Sequence, residues 1–437
     1  MADGSQRQQR SGAGRQAERL ESIAGRFDGW TIFAALALAC FGVVMVASSS
    51  VAIAEGHGFG PFHYLVRHVV FLGMGLALAL FMMRTELRWI EGYAQLLPIL
   101  AVVALLLVFL PGIGHEVNGA RRWVNLGVSN FQVVEAVKIM LVIWMASYLK
   151  RYADAVQMTW AGMLKPLGLA MVMVGLLLLQ PDFGSAMLLC AVVGGMLFFG
   201  GASIPRMVVP VMLAVPAIAI LAVAESYRVR RLTSFMSPWE DPFRDGYQLT
   251  QALIAIGRGE WFGVGLGGSV QKLFYLPEAH TDFILAVIAE ELGFAGVIAV
   301  IALFAVLAWR AMVIGLRAVE MRRLFSGFVA FGIGLMLSLQ ALVSIGVNLG
   351  LLPTKGLTLP LVSSGGSSVL MTCLALGLLL RVGYELDRAE RQVARARREL
   401  AAEDPVVEAE AAVAARPQRG TAAGRRERIA PSLGEPA

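Results

Sequence analysis

Residues 276–283 read Leu-Pro-Glu-Ala-His-Thr-Asp-Phe, so three titratable groups, Glu278, His280 and Asp282, fall within five positions. A long apolar run follows at once. Ionisable groups at such a boundary are costly and are kept where they bind ions, move protons or hold one another. Asp282 is at or beside the expected N-terminus of the following helix, whose dipole favours the charged carboxylate. A carboxylate held ionised can accept a proton or bind a cation. Glu290 falls about 80° around that helix and about 12 Å deeper. Glu291 points roughly opposite Asp282. The competing reading of both glutamates is pairing with interior cations such as Lys138.

The elements that place these groups are membrane helices. The chain has 437 residues, 57% of them hydrophobic and only 16% charged. Soluble domains carry about a quarter charged residues. Apolar runs near 20 residues recur, each long enough to cross about 30 Å of hydrocarbon. The fold class expected is an all-α polytopic membrane protein with about ten spans, near 30–54, 65–83, 94–111, 131–149, 160–179, 184–201, 206–225, 283–309, 325–348 and 367–384. Pro181 and Gly184 mark a tight turn between two of them.

Lys and Arg set the orientation. They gather in the N-tail (Arg7 to Arg26), at Arg84 and Arg88, Lys150 and Arg151, Arg206, Arg310 to Arg323, and in the C-tail (Arg388 to Arg398). With an even number of spans all of these share one side, so both termini read as cytoplasmic. Residues 1–29 form a basic tail that lacks the apolar core of a secretory signal, 30–385 the membrane domain, and 386–437 a second tail. Residues 386–403 can continue as a surface helix, and disorder is expected beyond Asp404. The net charge of +6 lies mostly in the tails and points to membrane lipid headgroups, not nucleic acid. Cys40, Cys190 and Cys373 lie inside apolar runs and read as small buried hydrophobes.

The large loop 226–282, between spans seven and eight, is then extracytoplasmic, and the carboxylate cluster with it. The outer loops also hold cations against the usual bias: Arg121 and Arg122 in Asn118–Trp123 (NGARRW), the group Arg228, Arg230 and Arg231, Lys272 and Lys355. Arginine forks suit phosphate oxygens. The competing reading is snorkelling, or pairing with outer acids such as Glu116 and Asp241. On span four, Gln132, Glu135 and Lys138 are three apart and form one polar stripe, which is either a self-satisfied pair or a pair that also meets a substrate anion. Residues 263–268 match G-x-G-x-x-G by letter but lack a βαβ unit; they read as a tightly folded loop, not a dinucleotide site. Ser367 or Ser368 is expected to cap the last span. No Walker A motif, H-E-x-x-H or G-x-S-x-G is present.

One outer carboxylate beside several outer cations fits transfer of a sugar from a lipid pyrophosphate to an alcohol. The leaving pyrophosphate is a stable anion and needs balancing cations, not a general acid. The acceptor hydroxyl must lose a proton, which calls for one carboxylate base. Glycoside hydrolysis would demand a second, acidic carboxyl.

Six segments extend this reading: 118–127 (NGARRWVNLG), 131–138 (FQVVEAVK), 180–184 (QPDFG), 245–251 (DGYQLTQ), 272–293 (KLFYLPEAHTDFILAVIAEELG) and 348–368 (NLGLLPTKGLTLPLVSSGGSS). In residues, order and place at span boundaries they resemble the SEDS family of bacterial cell-wall proteins (shape, elongation, division and sporulation). Residues 352–360 favour its division branch over the elongation branch. Val134 and Ser364 depart from the family pattern, which often has Ser and an aromatic there. The resemblance implies a peptidoglycan glycosyltransferase that polymerises lipid II outside the plasma (inner) membrane at the division septum. It implies work beside a class B penicillin-binding transpeptidase and other division proteins. It makes Asp282 the catalytic carboxylate. It puts Arg122 and Trp123 on the outer-loop signature, and Glu135 and Lys138 on the polar stripe. With Arg121, Lys272, Glu290 and Lys355 these are the expected substrate-binding residues. The residues assign no cofactor, and the chemistry leaves room for a divalent cation, Mg or Mn. The rival readings are a flippase for lipid-linked precursors, whose path Glu135, Lys138 and Glu290 would line, and a non-catalytic division scaffold.

Overall fold

The computed structural model describes residues 23–403 apart from 118–119, 126, 128, 224–225, 245 and 354–355. Lys355 and the side chains of Arg228 and Arg231 lie outside the described residues, as do the tails before residue 23 and after 403.

Asp28 opens the first helix, α1 (Gly29–Gly56), by accepting from Thr31 N at 2.8 Å. α2 (His63–Arg84) follows, apolar nearly all round. Only His68, Gly75 and Ala79 of it are buried, while Val66, Val70, Met74, Leu80 and Phe81 face outward. An exposed apolar surface of this extent belongs against lipid. The span expected at 94–111 holds only the shorter α4 (Leu97–Leu107), preceded by α3 (Leu87–Tyr93), and the two helices meet at 67°. Pro98 stands in the first turn of α4, where its missing N–H is tolerated, so the helix restarts there.

The expectation of an all-α chain needs correction. Between α4 and the next helix lie β1 (Gly114–Val117), β2 (Ala120–Asn125) and β3 (Asn130–Gln132), an antiparallel sheet in the order β1-β2-β3. Trp123 stands opposite both His115 and Gln132. Val124 and Phe131 pair across the second ladder, and such β-branched and aromatic residues pack well on a pleated surface. The strand takes residues 130–132, so α5 (Val133–Arg151) begins later than the expected 131.

The rest is helical: α6 (Ala153–Met158), α7 (Trp160–Leu179), α8 (Phe183–Phe199), α9 (Ile204–Val223), α10 (Ser226–Met236), α11 (Tyr247–Gly259), α12 (Ile284–Glu320), α13 (Leu324–Asn348) and α14 (Gly366–Glu403). Among the described residues six helices are long and apolar enough to cross a membrane, or seven if the bent α3–α4 pair is one span. α8 and part of α9 are apolar but shorter. α13 is buried along most of its length and packs on α12, α5 and α8. The compact unit is Gly25–Asp387.

α12 is broken at Gly293, whose φ of 68° and ψ of −164° leave the helical region. The Gly-rich loop crosses at the break. Val264 N and Gly265 N donate to the carbonyls of Glu290 and Glu291 at 2.9 and 3.0 Å, carbonyls that an unbroken helix would satisfy itself. A Cβ on Gly293 would lie 2.4 Å from Gly263 N, and Gly263 itself has a φ of 77°. Glycines are needed for that crossing, which agrees with the loop reading of 263–268.

Candidate active site

Glu278 has a φ of 55° and its carbonyl accepts from Thr281 N and Phe283 N, closing a turn just before α12. Its carboxylate bonds Thr281 Oγ1 at 2.6 Å, so it is used within the turn. His280 is buried against Tyr64, ring centres 4.7 Å apart, and its Nδ1 has no hydrogen-bond partner among the described residues. Burial lowers its pKa; the Glu278 carboxylate opposes this, and the charges of His57 and Arg67 add to it. A histidine depressed in the folded state binds fewer protons than in the unfolded chain, so its burial costs stability as the pH falls below about 6.5. At neutral pH it is uncharged. Both residues shape the turn.

Asp282 is half-buried and directly precedes Phe283, the N-cap position of α12. Its Oδ2 would lie 3.3 Å from a Cβ built on Gly356, so the carboxylate rests over the backbone of the 356–364 loop. That loop is tied to the turn and to the polar stripe. Ser363 Oγ donates to Thr281 O at 2.7 Å and accepts from Leu359 N, and Ser364 N donates to His280 O. Gln340 Nε2 donates to Thr358 O at 3.0 Å. Gln340 Oε1 accepts from Lys138 Nζ at 2.6 Å, and Lys138 pairs with Glu135 at 2.9 Å. A hydrogen-bonded path therefore joins the stripe on α5 to the walls of the Asp282 turn.

The other expected residues are placed differently. Glu290 does not meet Lys138. Fully buried, it accepts from Arg258 at 2.6 Å, from Ser269 Oγ, and from the backbone N–H groups of Val270 and Gln271. Glu291 holds Lys272 at 2.6 Å, and Ser48 of α1 bonds both. These two nodes anchor the loop between α11 and the turn. The reason is sequence distance: Ser269 and Lys272 precede Glu290 and Glu291 by 21 and 19 residues, and the fold returns them to the first turns of α12. Arg121 is exposed on β2 and pairs with Glu116 at 3.2 Å. Arg122 turns into the protein, donating from Nε to Gln180 O at 3.1 Å and from Nη2 to Pro181 O. It therefore closes the C-terminal end of α7, where cations are favoured. Arg122→Ala should lower stability by about 1 kcal/mol, read as a lower melting temperature in detergent, with KM for the lipid substrate little changed. Ser367 does not cap its own helix: its Oγ accepts from Gln132 N at 2.9 Å.

Arg67 was missed. It stands in the first turns of α2, its charge reaches His280, and it bonds Ser129 only at 3.5 Å. An arginine early in an apolar run, on the side opposite the basic loops, was the available signal. Among the described residues no group of three or more His, Cys, Asp or Glu side chains is placed to hold a metal ion.

A polytopic helical membrane protein with an ionisable carboxylate at a helix entrance, set in a hydrogen-bonded cradle of loops, is the class this geometry defines. The chain belongs to the FtsW/RodA/SpoVE family, described as cell cycle protein, which it matches over residues 29–388. It is 62% identical over 377 residues to a probable peptidoglycan glycosyltransferase FtsW of Xanthomonas oryzae pv. oryzae, covering 86% of this chain and 77% of that one. A protein of the same description from Coxiella burnetii is 46% identical over 370 residues, covering 85% of this chain and 100% of that one. A chain of a solved peptidoglycan synthase complex that coordinates polymerization and crosslinking superposes with a TM-score of 0.67 at 31% identity, over 83% of this chain and 98% of that one. The rod shape determining protein RodA of Thermus thermophilus gives 0.60 at 30% identity, over 82% and 97%.

Proposed function

We propose that this chain is a peptidoglycan glycosyltransferase that polymerises lipid II on the outer face of the plasma membrane during septal wall synthesis. Its relatives at 46–62% identity carry that activity in their names. The observation that carries the reading is the place of Asp282: a carboxylate at the mouth of α12, resting on a loop tied to the turn by Ser363 and Ser364 and to α13 by Gln340. Asp282 takes the proton from the acceptor sugar hydroxyl as its oxygen attacks the anomeric carbon of a second lipid-linked disaccharide. The new C–O bond forms as the bond to the pyrophosphate breaks, and the polyprenyl pyrophosphate leaves as an anion. Arg67, whose charge reaches His280, and the exposed Arg121 are the cations assigned to that anion; Arg122, Lys138 and Lys272 are engaged internally. A divalent cation, Mg or Mn, would be held chiefly by pyrophosphate oxygens.

Ten membrane passes with both termini cytoplasmic fit the helices and the distribution of charge. Asp28 pairs with Arg310, and Glu385 with Arg381, at the end of the bundle away from Asp282; beyond the break at Gly293, α12 rises about 26 Å to Arg310. The synthase complex to which the chain is similar supports a class B transpeptidase as partner. The test is glycan formation from purified lipid II, with and without that partner, beside a vesicle assay for lipid II crossing. Polymer growth supports the reading. Crossing without growth supports a flippase and overturns it. Gly356→Ala should slow polymerisation by about threefold to tenfold with the fold intact, since its methyl group would press on the Asp282 carboxylate.

A further inference from the structure

The first turn of α12 leaves backbone N–H groups without helical partners. A Ser, Thr, Asp or Asn at the N-cap normally accepts from the third helical residue. Here the N-cap is Phe283, whose side chain offers no acceptor, and Ala286 N reaches back to the Phe283 carbonyl at 3.1 Å. The same N–H is shared with a side-chain acceptor, Asn348 Oδ1 at 3.1 Å, from the last residue of α13. Asn348 Nδ2 donates to Asp282 O at 2.9 Å and to Ser344 O at 2.8 Å. One amide thus caps α12 in trans and holds the residue just before it. A flipped amide would face its nitrogen to an N–H and its oxygen to two carbonyls, so only one orientation fits. The side chain is fully buried.

The carbonyls of residues 280, 281 and 282 are taken in succession by Ser364 N, Ser363 Oγ and Asn348 Nδ2. All three donors come from the far side of the turn, and Asn348 alone bonds both the aspartate and the helix it enters. We propose that Asn348 is a positioning residue: it supplies the missing cap of α12 and, with the same amide, sets the backbone of Asp282. The proposal rests on the reading of Asp282 as the base.

The test uses the full chain with its transpeptidase partner and purified lipid II. Asn348→Ala should lower kcat by about 10-fold to 100-fold with KM within about threefold, because a small displacement of a reacting group costs rate and not binding. Asn348→Asp keeps an acceptor for Ala286 N but loses the donor to Asp282 O, and should show the same fall in kcat with less loss of melting temperature. Asp282→Asn is measured in parallel. If it is inactive while Asn348→Ala and Asn348→Asp keep kcat within twofold, the positioning role is overturned and the base stands. A near-normal kcat in Asn348→Asp beside a large loss in Asn348→Ala overturns it as well, leaving a capping role. If Asp282→Asn itself is active, both readings fall.

Discussion

Asp282→Asn should leave a folded protein that forms almost no glycan from lipid II. The amide matches the carboxylate in size, and one bond to this residue, Asn348 Nδ2 to Asp282 O, is to the backbone and survives the change. What is lost is proton affinity. A positioned general base contributes about 10²- to 10⁴-fold in rate, so initial polymerisation should fall by that factor. Removing a negative charge from a helix N-terminus costs about 0.3–1 kcal/mol, too little to unfold the protein. Glycan length distributions on gels and thermal melting in detergent, measured on the same preparations, separate the two effects. Asp282→Glu should fail nearly as badly, because one added methylene moves the carboxylate off its seat over Gly356. A folded Asp282→Asn protein with near-normal polymerisation would falsify the base assignment.

The second large effect concerns the stripe on α5. Glu135 and Lys138 are both buried and paired at 2.9 Å, and Lys138 also bonds Gln340 at 2.6 Å. Lys138→Met leaves Glu135 as a buried charge without its cation, which costs about 3–5 kcal/mol. Replacing both partners removes the uncompensated charge, and such swaps are often neutral. Lys138→Met should therefore lower the melting temperature sharply, and Glu135→Leu/Lys138→Met should recover most of it. Gln340 keeps its bond to Thr358 O in either case, so the loop under Asp282 stays tied to α13. Polymerisation by the double variant should return to within about tenfold of the parent. A double variant that is as stable as the parent but has a greatly raised KM for lipid II would show instead that Lys138 meets the substrate anion.

Much of this was readable from residue order. Apolar length alone marks the spans, because crossing hydrocarbon with satisfied backbone groups requires a helix of about 20 apolar residues. The position of Asp282 at the entrance to α12 was legible because a charge at the start of an apolar run stands out against its neighbours. The glycines at 263–268 were legible as a tight loop. The sheet at 114–132 was not. Its strands are three to six residues long, below the length at which alternation separates from chance, and they sit between strong helical signals.

The pairing of charges was the least legible feature. Outer and interior cations can each be matched on paper with several acids. Glu290 and Glu291 are adjacent in the chain, yet one takes Arg258 and the other Lys272 with Ser48, because adjacent residues on a helix point about 100° apart. Arg122 looked like a phosphate fork and is spent on the carbonyls of Gln180 and Pro181, 58 and 59 positions away. Local pattern is enough to write most of the apolar helices and the carboxylate at the entrance to α12, because those depend on hydrophobic length and on neighbours within a turn or two. Which polar group neutralises which, and that an asparagine from α13 caps α12 beside Asp282, depends on contacts between residues 62 to 66 positions apart. Those contacts exist only once α13 is packed against α12.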